Sequence, residues 1–158
     1  MSRRFGGRRT RDTNPQTLRR GRIGTPPNLI APGKRMLSSM CPVIVTKDNR
    51  VTLITGSPGG RTIINTVLEM VLNVTEFGMG AREAVDAPRM HHQWLPDVTS
   101  LEENAVPDST VARLRQMGHT VTMRGHQGDA HTILFDASTG TAYGANDKRS
   151  ADSKASKP

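Results

Sequence analysis

The sequence is poor in the residues that build several common kinds of protein. One of its 158 residues is a cysteine, Cys41. A disulfide framework and a cysteine-based zinc site are therefore both excluded. Five residues are aromatic: Phe5, Phe77, Trp94, Phe135 and Tyr143. No stretch approaches the ~20 consecutive apolar residues that cross a bilayer. The first arginines are followed by Phe5-Gly6-Gly7-Arg8-Arg9, not by an apolar run. No secretory signal is present in the sequence as it stands. Apolar residues make up 34%, below the ~45–50% of ordinary domains, a figure that also counts glycine.

Positive charge is abundant and unevenly placed. The formal net charge is +8. Residues 1–26 hold eight arginines and a single acid, Asp12, while the remainder holds 14 basic and 13 acidic side chains. The high isoelectric point thus describes one end of the chain. Phe5, Leu18 and Ile23 are the sizeable apolar residues there, and they share no period. Such a segment buries too little surface to offset the entropy of ordering it, so disorder in isolation is expected. An arginine-rich arm can bind nucleic acid through phosphate contacts and counterion release. It can equally be a solvated tail, which is the favoured reading: nothing in it resembles a base-reading helix, and it offers one aromatic ring for stacking.

From Pro27 onward the pattern is globular. Val43-Ile44-Val45 and Val51-Thr52-Leu53-Ile54-Thr55 flank Lys47-Asp48-Asn49-Arg50, which has turn chemistry. This predicts a hairpin, and its apolar strands suggest a central, two-sided place in a sheet. After the tight loop Gly56–Gly60, the residues Ile63, Ile64, Val67, Leu68, Val71 and Leu72 recur at helical spacing. A helix is expected over 61–74, and a short one over 82–87, stopped by Pro88. An extended piece over 90–97 follows. Asp108 is placed as the N-cap of a helix over 109–117, ended by Gly118. Val121 and Met123 suggest a strand. A second hairpin is expected from 132–135 and 141–143 around Asp136–Gly140. Without a βαβ rhythm, the order favours an α+β fold with helices packed on an antiparallel sheet.

Few groups can carry chemistry. Gly59 and Gly60 precede a helix, where N–H groups lack intrahelical acceptors. Adjacent glycines let a substrate approach the main chain, which suits an oxyanion hole. An ordinary strand-to-helix turn has the same signature. Ser38 and Ser39 are paired hydroxyls near Lys34 and Arg35, a set able to hold a carboxylate, or simply a polar loop. His91, His92, His119, His126 and His131 lack metal-site spacing and read as structural hydrogen-bonding groups. No metal or cofactor is expected. Cys41 has no identifiable base and reads as a small core residue.

Together these stretches resemble the gamma-glutamyltranspeptidase family. Pro32 to Met40 reads PGKRMLSSM, similar to that family's P-G-K-R-x-x-S-S-M signature, with Met36 and Cys41 as minor departures. Gly56 to Gly60 with Ile63-Ile64 is similar to its glycine loop, and Glu83 to Arg89, His91-His92-Gln93 and Leu95-Pro96 to the segment after it. Gly118-His119, Gly128-Asp129-Ala130, Gly144-Ala145, Asp147 and Arg149 continue the match in order. The resemblance implies a partial N-terminal-nucleophile hydrolase sandwich, two stacked antiparallel sheets between helical layers. It implies cleavage of γ-glutamyl amides such as glutathione, with the acyl group passing to water or an amine. By carry-over, Ser38 and Ser39 hold the donor's α-carboxylate, and the Gly59 and Gly60 N–H groups form the oxyanion hole.

The family's nucleophile is a threonine freed by self-cleavage, well upstream of the serine pair. Thr10, Thr13, Thr17 and Thr25 lack its surroundings. The expected organisation is an unrelated arginine-rich leader over 1–27, a C-terminal part of the family's small subunit over 28–149, and a polar tail over 150–158. The expected partners are γ-glutamyl small molecules and the large-subunit and upstream small-subunit segments that complete a site. A fragment inactive alone is the leading reading. A non-catalytic γ-glutamyl-binding or subunit-docking protein is the alternative, and a nucleic-acid-associated protein ranks behind both. Members of the family are typically periplasmic or extracellular, while this sequence as it stands carries no export signal, which leaves location open.

Overall fold

The computed structural model describes residues 31–35, 38, 40–151, 154 and 155. The arginine-rich segment and Ser39 lie outside the described residues.

Strands β1 (Val43–Lys47) and β2 (Arg50–Gly56) pair antiparallel, with Val43 opposite Thr55 and Lys47 opposite Arg50. Asp48 and Asn49 join them with φ of 50° and 59°. Two successive left-handed residues make a type I′ turn, whose twist matches that of a hairpin. A single 3-10 turn, Gly60–Thr62, leads into helix α1 (Ile63–Thr75), and α2 (Ala81–Asp86) follows. Strands β3 (Met90–His91) and β4 (Thr99–Leu101), helix α3 (Asp108–Gln116) and strand β5 (Val121–Met123) come next. The hairpin of β6 (His131–Asp136) and β7 (Thr141–Asn146) completes the order.

The large sheet runs β1-β2-β6-β7, antiparallel throughout. Alternation assigns its faces. Leu53, Thr55, Thr132 and Ala145 are buried on one face. There they meet α1 and α2, whose Met70, Ala81 and Val85 form the main core with Ala130 and Ala145, against which Leu134 packs. The other face carries Ile44, Ile54, Ile133 and Phe135. Ile44 is 63% exposed and Ile133 40%, and no described helix covers them.

The small sheet, β3-β4-β5, joins the expected extended piece at Met90 and the expected strand at Val121 through a strand the sequence did not suggest, β4. Its β4 and β5 pair parallel, with Thr99 opposite Val121, and α3 connects them. This is a βαβ unit where the sequence suggested none. Leu101, Val111 and Val121 form its own small core, with Ala105, Val106 and Leu114 packed around it.

Three further expectations need correction. Among the described residues β1 lies at a sheet edge, so the first hairpin is not central there; of its two strands only β2 has a neighbour on both sides. Helix α3 takes Pro107 at its N-cap, with no side-chain cap bond, and Asp108 is its first helical residue. Proline at the boundary gives up no hydrogen bond, and an acid in the first turn still faces the positive end of the helix. Cys41 is half-buried at the entrance to β1 and stands outside both cores.

Candidate active site

The glycine turn is built where β2 ends. Gly59 and Gly60 are exposed, with φ of 144° and 64°. These values belong to glycine, because a Cβ strains the left-handed region. Thr62 anchors the turn: its Oγ1 donates to the Gly59 carbonyl at 3.1 Å, and its N–H to the same oxygen at 3.3 Å. Both glycines stand ahead of α1, where N–H groups have no preceding turn to accept them. A Cβ at Gly60 would meet nothing within 4 Å, so φ alone demands glycine there. A Cβ at Gly59 would lie 2.6 Å from Thr62 Oγ1 and 3.3 Å from the Gly128 Cα. Packing therefore also demands glycine at 59.

Ser38 is exposed, and its Oγ accepts from the Met40 N–H at 3.4 Å. Among the described residues no hydrogen bond joins Ser38 to the glycine turn. Sheet topology nevertheless brings their segments to one end of the fold. The segment through Pro42 enters β1 at Val43, opposite Thr55, and β2 leaves for the glycine turn just after Thr55. The two segments are neighbours there: a Cβ on Gly56 would be in ordinary contact, at 3.9 Å, with the Pro42 Cα.

The histidines engage local polar partners. His91 is buried, with Nδ1 2.8 Å from Asn65 Oδ1 and Nε2 2.9 Å from Gln93 Oε1. His92 meets Asp97 at 3.1 Å, and His131 meets Asp129 at 3.5 Å. Among the described residues no group of three or more His, Cys, Asp or Glu side chains could hold a metal ion. No described helix is long and apolar enough to cross a membrane.

Sequence reasoning assigned no role to the most heavily bonded part of the structure. Arg89 Nη2 and Asp147 Oδ2 lie 2.7 Å apart with both side chains excluded from solvent. Arg149 reaches Asp147 at 3.1 Å and Glu102 at 2.5 Å, and donates to the carbonyls of Val85 and Ala87, each at 2.9 Å. Glu102 also accepts the Arg89 N–H at 3.0 Å and the Gln127 N–H at 2.6 Å. Burial alone would push the Asp147 carboxyl up. The amides of Ala130 and Arg149 and the Arg89 guanidinium outweigh it and hold the pKa below the ordinary value. Arg149 is likewise raised, its burial outweighed by hydrogen bonds to Glu102 and Asp147. No sequence signal marked this network: Asp147 and Arg149 stand in the polar run Asn146-Asp147-Lys148-Arg149-Ser150, which reads as surface.

Glu69 is half-buried. Its Oε1 accepts the Met90 N–H at 2.7 Å, and its Oε2 is buried with no hydrogen-bond partner among the described residues. Desolvation raises its pKa to about 7 against the Met90 hydrogen bond and the Arg89 charge, which lower it.

Helices packed on an antiparallel sheet match the N-terminal-nucleophile hydrolase fold of the solved gamma-glutamyltranspeptidases that superpose on this chain. The chain belongs to the gamma-glutamyltranspeptidase family: the family described as Gamma-glutamyltranspeptidase matches residues 9–156. That match starts inside the arginine-rich segment. The glutathione hydrolase proenzyme of Escherichia coli K12 is 46% identical over 132 residues, covering 84% of this chain and 22% of that protein. The T380A mutant of Helicobacter pylori gamma-glutamyltranspeptidase superposes with a TM-score of 0.75 at 42% identity, covering 81% of this chain and 70% of the other. Gamma-glutamyltranspeptidase from Pseudomonas nitroreducens, complexed with L-DON, gives 0.74 at 35% identity, covering 87% and 72%. The chain spans about a fifth of the length of the curated relatives it matches.

Proposed function

We propose that this chain carries half of a γ-glutamyl site and corresponds, over residues 28–149, to the C-terminal part of the family's small subunit. In this reading the N–H groups of Gly59 and Gly60 stabilise the oxyanion that forms as a γ-glutamyl amide is attacked. Ser38 and Ser39 hold the α-carboxylate of the donor through hydroxyl donors. The reading assigns the nucleophile to no residue of this sequence. The threonine, and the large-subunit and upstream small-subunit segments that surround it, act as partners. The chain by itself therefore binds γ-glutamyl compounds and does not turn them over; joined to those partners it serves hydrolysis or transfer.

The observation that carries the reading is the exposed glycine pair, held open at the start of α1 by the Thr62 anchor and close to the Gly128 backbone. Membership of the family supplies the chemistry such a turn would serve.

The test is a titration of the purified, isotopically labelled chain with glutathione, followed by amide NMR. The expected result is a saturable shift confined to Gly59, Gly60 and the Ser38–Met40 segment. A folded chain with no response at these positions overturns the reading.

A further inference from the structure

Behind the glycine turn lies a second loop, Gln127 to Ala130, fastened at both ends by buried carboxylates. Glu102 Oε1 accepts the Gln127 N–H at 2.6 Å, and Asp147 Oδ2 accepts the Ala130 N–H at 2.8 Å. Each carboxylate is itself fixed by an arginine: Glu102 by Arg149, Asp147 by Arg89 and Arg149. Charge-assisted bonds of this kind are the strong ones, and in a buried site they leave the loop little freedom.

Between the two fastenings the loop runs close behind the glycine turn. Gly128 has φ of 71°, and a Cβ there would lie 2.6 Å from Thr66 Oγ1 and 2.9 Å from Ser57 Oγ. Its Cα is the backbone atom that crowds the position of a Cβ on Gly59. Ser57 ties the two loops directly: its hydroxyl accepts from the Asp129 N–H at 3.0 Å and donates to the Pro58 carbonyl at 2.6 Å. Gly59 is thus set from behind by Gly128, and Gly128 is set by the carboxylates at either end of its loop.

We propose that the loop 127–130 is a strut that fixes the direction of the Gly59 and Gly60 N–H groups, with Glu102, Asp147, Ser57 and Gly128 as positioning residues. None of them needs to touch a substrate. The proposal deepens the γ-glutamyl reading above, because fixed donors stabilise developing charge without reorganising.

The experiment reads the amide resonances of Gly59 and Gly60 in the full chain with no ligand present. Gly128→Ala is compared with Gly140→Ala. Gly140 has φ of 67° and nothing within 4 Å of a Cβ, so the pair shares the left-handed backbone cost and differs in crowding. Gly128→Ala moves the Gly59 and Gly60 resonances and leaves those of β1 in place, while Gly140→Ala moves only its own hairpin. Ser57→Ala, a milder change suited to the case where Gly128→Ala or Asp147→Asn does not fold, moves the same two resonances. Ser57→Thr keeps the hydroxyl and brings them back. Unmoved Gly59 and Gly60 resonances in folded Ser57→Ala and Gly128→Ala chains overturn the strut. Because no ligand is used, a chain that passes this test and ignores glutathione contradicts the γ-glutamyl reading alone.

Discussion

The Arg89 guanidinium and the Asp147 carboxylate meet at 2.7 Å, with Arg89 placed just after α2 and Asp147 just after β7. One buried ion pair therefore joins the helical layer to the far edge of the large sheet. Removing one partner of such a pair leaves an uncompensated charge, at a cost of about 3–5 kcal/mol. Asp147→Asn should lower the urea midpoint by a corresponding amount. Arg89→Lys should not restore it in an otherwise normal chain, because a point charge cannot serve Asp147, the Val85 carbonyl and the Gln127 carbonyl together. A midpoint unchanged in either variant would show that the network is not structural.

Glu69 makes stability depend on pH. Its pKa rises from 4.5 to about 7 on folding. Between those values the native chain holds a proton that the unfolded chain has lost, so stability falls as pH rises through the window and levels above it. Glu69→Gln keeps an acceptor for the Met90 N–H and cannot ionise. Denaturation midpoints measured from pH 4 to pH 8 should show a decline for the parent chain that the variant lacks. Parallel profiles would place the Glu69 carboxyl in its ordinary range.

The face of the large sheet that no described helix covers should make the chain self-associate. Ile44, Ile54, Ile133 and Phe135 form a contiguous apolar surface beside the exposed edge strand β1, and such surfaces seek partners. Sedimentation of Ile44→Thr and Ile133→Thr chains should show less association than the parent at equal concentration. Melting should hardly change, since substitutions at exposed sites usually stay within about 0.5 kcal/mol. Loss of folding in Ile44→Thr would mean that this face is already packed.

The hairpins were legible because turn chemistry and β-branched runs coincide: Asp48-Asn49 and the Val43 and Val51 runs leave one register. Helix α1 was legible from its period, although Ile64, Leu68 and Leu72 belong to a second apolar stripe that stays exposed. The small sheet was not legible as a sheet. Its strands have two or three residues; Val121 and Met123 suggested β5, but Thr99-Ser100 carry no apolar alternation, so β4 and its pairing with β5 show nothing until α3 brings Leu101 and Val121 together. The glycine turn was visible as a motif, but its crowding against Gly128 depends on residues far apart in sequence. Arg89, Asp147 and Arg149 stood in the family resemblance with no role attached, and Glu102 stood nowhere. Pattern rules read charge as surface, and only contacts from four separate segments make these four side chains a core.

The central proposal is that this chain supplies the oxyanion donors and carboxylate-binding serines of a γ-glutamyl site whose nucleophile comes from a partner segment. Release of aniline from a γ-glutamyl anilide by the purified chain tests it most directly. The account predicts no release above the spontaneous rate. Saturable release, abolished by substituting a threonine of this sequence, would contradict it.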